Sequence, residues 1–110
     1  MSQNQDNFKR GTAEMLVLYL LQKEDLYGYQ ITQEFAKKSN GVYTMLEGSL
    51  YPILYRLIDT GCITDYTVLV GKRRQRRYYH IEEKGKEYYN EILEEYKDIT
   101  KAINCIMDKS

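Results

Sequence analysis

Near the end of the chain Tyr89, Ile92, Tyr96, Ile99, Ile103 and Ile106 follow one another at intervals of 3, 4, 3, 4 and 3. That spacing keeps all of them on one stripe of a helix, the a and d positions of a coiled-coil seam. A helix from Glu83 to about Met107 spans roughly 35 to 40 Å at 1.5 Å per residue. The whole chain has 110 residues, enough for one domain with a modest core, which is too small to cover a stripe of that length. Leu93, Cys105 and Met107 widen the stripe, and burying each such side chain contributes about 1.5 to 3 kcal/mol. The pattern therefore predicts a C-terminal dimerisation helix over 82–110 that packs on a second copy of the chain through Tyr89, Ile92, Leu93, Tyr96, Ile99, Ile103 and Ile106. A long helix folded back on its own domain is the plain alternative.

Upstream the periodicity changes element by element. Residues 1–8 are polar and read as a flexible tail, leaving 9–81 as the folded domain. The segment "TAEMLVLYLLQ" is apolar on nearly all sides and rich in helix formers, which predicts a helix over 11–23 buried on several faces. Tyr27, Ile31 and Phe35 fall at i, i+4 and i+8, one stripe of a short second helix that ends in two lysines. "SNG" breaks it, with Gly41 free to adopt a positive φ, and "VYTML" is β-prone enough for a brief strand. Leu50, Ile53, Leu54, Leu57 and Ile58 then form the inner face of a third helix over 50–60. Ser49 suits its N-cap, and Pro52 would lie in the first turn, where a missing N–H has no intrahelical partner to lose. Gly61 after Thr60 suits its C-terminal cap. "CITDYTVLV" and "QRRYYHI" flank "GKRR", a β-hairpin with a basic tip, Tyr79 and Ile81 sharing one face and Arg76 and His80 the other. The fold expected is mainly α with a small β-hairpin: a winged helix-turn-helix plus the long C-terminal dimerisation helix.

Sixteen basic and sixteen acidic side chains cancel, so only local charge is informative. Five of the six residues from Lys72 to Arg77 are cationic, whereas Glu82 to Asp98 holds seven acids against three lysines. The outer side of the third helix carries Ser49, Tyr51, Pro52, Tyr55, Arg56 and Asp59. A helix fits the major groove of double-stranded DNA, where side chains read base edges. Ser49 and the N–H groups of the first turn can hold a phosphate, which aims Tyr51, Tyr55 and Arg56 at the groove. Lys72, Arg73, Arg74, Arg76 and Arg77 would neutralise neighbouring phosphates, giving affinity more than specificity. A two-fold dimer then calls for a palindromic site with half-sites about 34 Å apart, or a multiple of it. Between paired C-terminal helices Tyr89 and Tyr96 can offer aromatic faces and hydroxyls to a small aromatic effector, or can be plain seam residues. A second functional class stays open: a protein-contact module whose basic hairpin docks an acidic partner.

Other classes drop out. Cys62 and Cys105 are too few and too far apart for a disulfide framework or a metal knuckle, and His80 is the single histidine. No metal or cofactor is expected. One histidine in a basic strand, with no Gly-rich phosphate loop, does not assemble a nucleophile, a base and an orienting partner, so the chain is not read as an enzyme. It has no run of 18 apolar residues, and its start "MSQNQDNFKR" lacks the apolar core of a secretion signal, so a cytoplasmic location away from membranes is expected.

Three stretches, "LYGYQI" at 26–31, "GSLYPILYRLIDTGCI" at 48–63 and "RRYYHIEEKG" at 76–85, closely resemble the PadR family of bacterial transcriptional regulators. The resemblance implies a dimeric winged-helix repressor, with the motif helix in the groove and the last helix forming the dimer. A single C-terminal helix resembles the short branch of the family. Glu82 stands where the family usually has Thr or Ser to cap the last helix, so a looser or shifted start is expected there. The chain has no tryptophan, whereas multidrug-binding members stack flat ligands on tryptophan at the dimer interface. A ligand is not expected to be held in that way here.

Overall fold

The computed structural model describes residues 3–108. Helix α1 covers Gln3–Leu21, strand β1 Leu26–Tyr27, helix α2 Gly28–Lys38 and helix α3 Glu47–Asp59. Strands β2 Ile63–Val70 and β3 Arg74–Ile81 follow, then helix α4 Glu83–Ile106. β3 lies between β1 and β2 and runs antiparallel to both. This is the mainly helical winged-helix architecture that the sequence pattern implies.

The core lies where the apolar stripes converge. Val17 and Leu18 of α1, Ile31 of α2, Leu50, Leu54 and Leu57 of α3 and Tyr79 of β3 are all essentially inaccessible. Ile53 and Ile58, on the flanks of the α3 stripe, are half-buried against them. Tyr79 and Ile81 share the buried face of β3, as alternation requires, and His80 is exposed on the other. At the end of α3, Gly61 has a φ of 80°, its N–H donates to the Ile58 carbonyl, and the Cys62 N–H donates to the Leu57 carbonyl. Those are the two bonds of a Schellman cap, which needs the left-handed conformation that glycine supplies.

Several boundaries differ from the sequence pattern, each for a local reason. α1 begins at Gln3, so residues 3–8 of the expected tail are helical; residues 1 and 2 lie outside the described residues. Tertiary contacts hold the helix just past this extension. Lys9 is buried, its Nζ donates to the Thr44 carbonyl at 2.5 Å, and it sits 5.7 Å from the centre of the Tyr43 ring. The segment 42–46 forms no strand. Its Tyr43 N–H donates to Ser39 Oγ at 2.8 Å, and the Tyr43 ring packs edge-on against Phe35 at 5.3 Å, so the chain turns instead of extending. The short strand is β1, which pairs Leu26 with Tyr79 and Tyr27 with Tyr78, making Tyr27 the N-cap of α2 and not part of its stripe.

α3 starts earlier than Ser49 suggests. Leu46 is the N-cap, and its carbonyl already accepts from the Ser49 and Leu50 N–H groups. Ser49 is therefore a first-turn residue, and Pro52 falls in the second turn, where its missing N–H leaves the Gly48 carbonyl without an intrahelical donor. Gly48 and Pro52 are both exposed, so solvent can satisfy that carbonyl. α4 shows no shift: Glu82 is its N-cap. No capping bond comes from the Glu82 side chain, which instead accepts from Thr64 Oγ1 at 2.7 Å, while its N–H donates to the Cys62 carbonyl at 2.9 Å. Tyr88, Tyr89 and Ile92 pack α4 onto the core. Beyond them Tyr96, Ile99, Ile103 and Ile106 are 46%, 61%, 46% and 84% exposed, which leaves half of the seam uncovered in the single chain. Among the described residues no helix is long and apolar enough to cross a membrane.

Candidate nucleic-acid interface

The inner row of α3 dictates its outer one. With Leu50, Leu54 and Leu57 buried, helical periodicity turns Ser49, Pro52, Tyr55, Arg56 and Asp59 outward, and all five are exposed. Tyr51 does not belong to that set. It is half-buried on the flank, its hydroxyl donates to Glu47 Oε2 at 2.9 Å, and its ring stacks on Tyr55 with centroids 6.2 Å apart. The Tyr51 hydroxyl lies over Gly28, the first residue of α2, where a Cβ would meet it at an ordinary contact distance of 3.4 Å. The hydrogen bond to Glu47, then burial and the Glu47 charge, raises the Tyr51 pKa above its ordinary 10.0 and keeps the hydroxyl a donor.

Two notches flank α3. On one side Glu47, Tyr51 and Tyr55 face the start of α2 at Gly28 and Tyr29, and Gln75, Arg76 and Arg77 of β3. On the other side Ser49, Ile53 and Arg56 face Lys9 and Arg10 of α1. Arg56 lines the second of these notches and the two tyrosines the first. At 100° per residue it lies about 140° around the helix from Tyr51, and its Nε donates to Glu14 Oε2 on α1 at 2.8 Å.

The hairpin turns at Gly71, with a φ of 76°, and Val70 pairs with Arg74 across it. Lys72, Arg73 and Arg74 are exposed, and none has a carboxylate partner among the described residues. The other two cations are engaged: Arg77 pairs with Asp65 at 3.3 Å, and the Arg76 guanidinium sits 4.5 Å above the Tyr27 ring. Asp25, between α1 and β1, holds the base of the hairpin. It accepts from the Tyr66 hydroxyl at 2.6 Å and contacts His80 Nδ1 at 2.8 Å. Burial by itself would raise the Asp25 pKa, but the bonds from Tyr66 and His80 and the His80 charge outweigh it and hold the carboxyl below its ordinary 3.8.

Tyr89 and Tyr96 do not face a common cavity in the single chain. Tyr89 turns to Tyr19 of α1, with ring centroids 6.2 Å apart, whereas Tyr96 lines a groove between α1 and α4 with Phe8, Met15, Ile92 and Ile99. Among the described residues no cluster of His, Cys, Asp and Glu is placed to hold a metal ion.

The profile of the transcriptional regulator PadR-like family matches residues 17–91, well over half of the chain and all three of the motif stretches. The chain belongs to the PadR-like family. A transcriptional regulator from Clostridium thermocellum has the same fold at a TM-score of 0.84 and 33% identity, covering 89% of this chain and 95% of that one. The negative transcriptional regulator PadR of Bacillus subtilis (strain 168) is 29% identical over 87 residues, 79% of this chain but 48% of its own length. The crystal structure of Bacillus subtilis PadR in complex with operator DNA matches at a TM-score of 0.68 and 30% identity, over 74% of this chain and 46% of that one. This PadR-like chain thus spans about half of the Bacillus subtilis protein. PadR-like proteins are transcriptional regulators and not enzymes.

Sequence reasoning missed part of the surface around α3 in this PadR-like chain. Lys9 and Arg10 sat at the join of a segment read as tail, and Tyr29 on the side of α2 away from its stripe. The adjacent basic pair "KR" just ahead of the first helix was the available signal for the former.

Proposed function

We propose that this PadR-like protein is a dimeric repressor that binds a two-fold symmetric operator in double-stranded DNA. In this reading α3 enters the major groove with Ser49, Pro52, Tyr55 and Arg56 toward the DNA, and Tyr51 sets the Tyr55 ring through the stack between them. The β2–β3 hairpin lies along the flanking backbone, where Lys72, Arg73 and Arg74 neutralise phosphates and Arg76 and Arg77 join once their present partners yield. The observation that carries the reading is the exposed face of α3, whose Tyr51 and Tyr55 share a notch with Gln75, Arg76 and Arg77 of a hairpin whose three tip cations have no carboxylate partner among the described residues. Repression is supported by the Bacillus subtilis relative, a negative regulator solved with operator DNA.

Dimerisation through Tyr89, Ile92, Leu93, Tyr96, Ile99, Ile103 and Ile106 is supported by the uncovered half of the α4 seam. A small aromatic effector held between Tyr89 and Tyr96 of paired helices would release the protein from DNA; titration of the protein–DNA complex with flat aromatic compounds tests that step. Selection of bound fragments from random duplex DNA tests the whole reading. A palindrome with half-sites about 34 Å apart, or a multiple of it, is the expected product. Equal affinity for selected and scrambled duplexes would overturn specific repression and favour the hairpin as a docking surface for an acidic protein.

A further inference from the structure

We infer that Glu14 is a positioning residue that fixes the Arg56 guanidinium at the edge of α3 and passes to it, through Tyr88, the position of α4. The inference rests on the DNA-binding reading above. Glu14 Oε2 accepts from Arg56 Nε at 2.8 Å, and Glu14 Oε1 accepts from the Tyr88 hydroxyl at 3.0 Å. One carboxylate on α1 therefore joins the helix that faces the proposed groove to the helix proposed to form the dimer. Each oxygen serves a different helix, so a displacement of Tyr88 turns the carboxylate that Arg56 meets.

The consequence for DNA follows from the chemistry of arginine. The guanidinium carries five N–H donors in a rigid fork, and engaging Nε leaves the others for a ligand. Arg56 lines the notch that also holds Lys9, Arg10 and Ser49, beside the exposed face of α3. A phosphate there would meet a fork already held in one orientation, with less side-chain entropy to lose than a free arginine has. The other end of the device is equally placed. Glu14 and Tyr88 line the α1–α4 groove with Ile92, Tyr96 and Ile99, so a partner helix or an effector filling that groove touches the second oxygen. Burial first, then the bond to Glu14, raises the Tyr88 pKa above its ordinary 10.0, with Arg56 opposing, and the hydroxyl remains a donor at neutral pH.

Tyr88→Phe keeps the ring and deletes the hydrogen bond. With an operator recovered by selection, it is expected to weaken DNA binding roughly three- to tenfold in the otherwise unaltered protein, and to have little effect once Arg56→Ala is present, because contacts that act through one another are not additive. Sedimentation should give the same oligomeric state for the parent and Tyr88→Phe. A readout without DNA is the Arg56 Nε–H resonance in nitrogen-15 spectra, expected to exchange faster with solvent in Tyr88→Phe. Unchanged affinity of Tyr88→Phe, or an equal loss in both backgrounds, overturns the relay. If the unaltered protein binds no recovered duplex, the DNA reading itself fails, and the Nε–H exchange still decides whether Tyr88 orders Arg56. Should Tyr88→Phe not fold, Glu14→Gln, which can accept from only one of the two donors, is carried through the same cycle.

Discussion

Gly85, near the start of α4, has no room for a side chain: a Cβ there would overlap the Cys62 carbonyl oxygen, with Ile81 Cγ1 only 2.8 Å away. The nearest obstacle is backbone, which cannot rotate aside as a flexible side chain would. Gly85→Ala is expected to destabilise the fold by about 1 to 3 kcal/mol, the usual range for forced overpacking, and thermal unfolding followed by circular dichroism measures it. Asp25 acts through charge instead. Its pKa in the fold lies below the ordinary 3.8, so its contribution to stability is fully present above that value and is lost as the pH falls through the lower folded value. Asp25→Asn removes the titration. The stability gap between parent and variant in urea unfolding should narrow as the pH falls below 3.8.

At the scale of elements, the hairpin separates into a tip and a stem with different expected effects. Arg74 at the tip has no carboxylate partner among the described residues, whereas Arg77 in the stem already pairs with Asp65. Arg74→Ala is expected to weaken binding to all DNA sequences alike and to lower the slope of log affinity against log salt by about one unit, as one lost phosphate contact does. Fluorescence anisotropy across a salt series measures both. The inner face of α3 was legible in the sequence because helical periodicity acts through neighbours three and four residues apart. Its starting residue was not, because Leu46 caps it without a side-chain bond and Ser49, the better capping residue by type, lies inside. Arg56 belongs to the same lesson. Its exposure could be read from the pattern, but its partner Glu14 stands 42 residues away in the chain.

The molecule as a whole is longer than its mass suggests. Its radius of gyration is 15.5 Å and its extents are 58 × 31 × 21 Å, against about 13 Å for the radius of a compact domain of this length. The excess comes with an α4 whose outer half stays uncovered in the single chain. If a second copy covers it, Ile99→Asp places a charge in the seam and is expected to convert the dimer to monomer, with equilibrium sedimentation reading the mass directly. The formal net charge of zero makes the same point about electrostatics: attraction to DNA has to come from the hairpin and the surroundings of α3, since the molecule has no overall excess to supply it.

By itself the sequence determined the order of the four helices and the hairpin, the inner face of α3, and the α4 stripe too long for its own core. All of these follow from the spacing of residue types within one or two turns. Only the tertiary structure decided that α1 extends back to Gln3, that β1 pairs with β3, that Tyr51 is bound to Glu47, and that Glu14 stands between Arg56 and Tyr88. Each of these turns on a hydrogen bond or packing contact that appears only once the elements are docked. A local pattern records the period of an element, but it holds no trace of which polar group a distant segment will bring into reach.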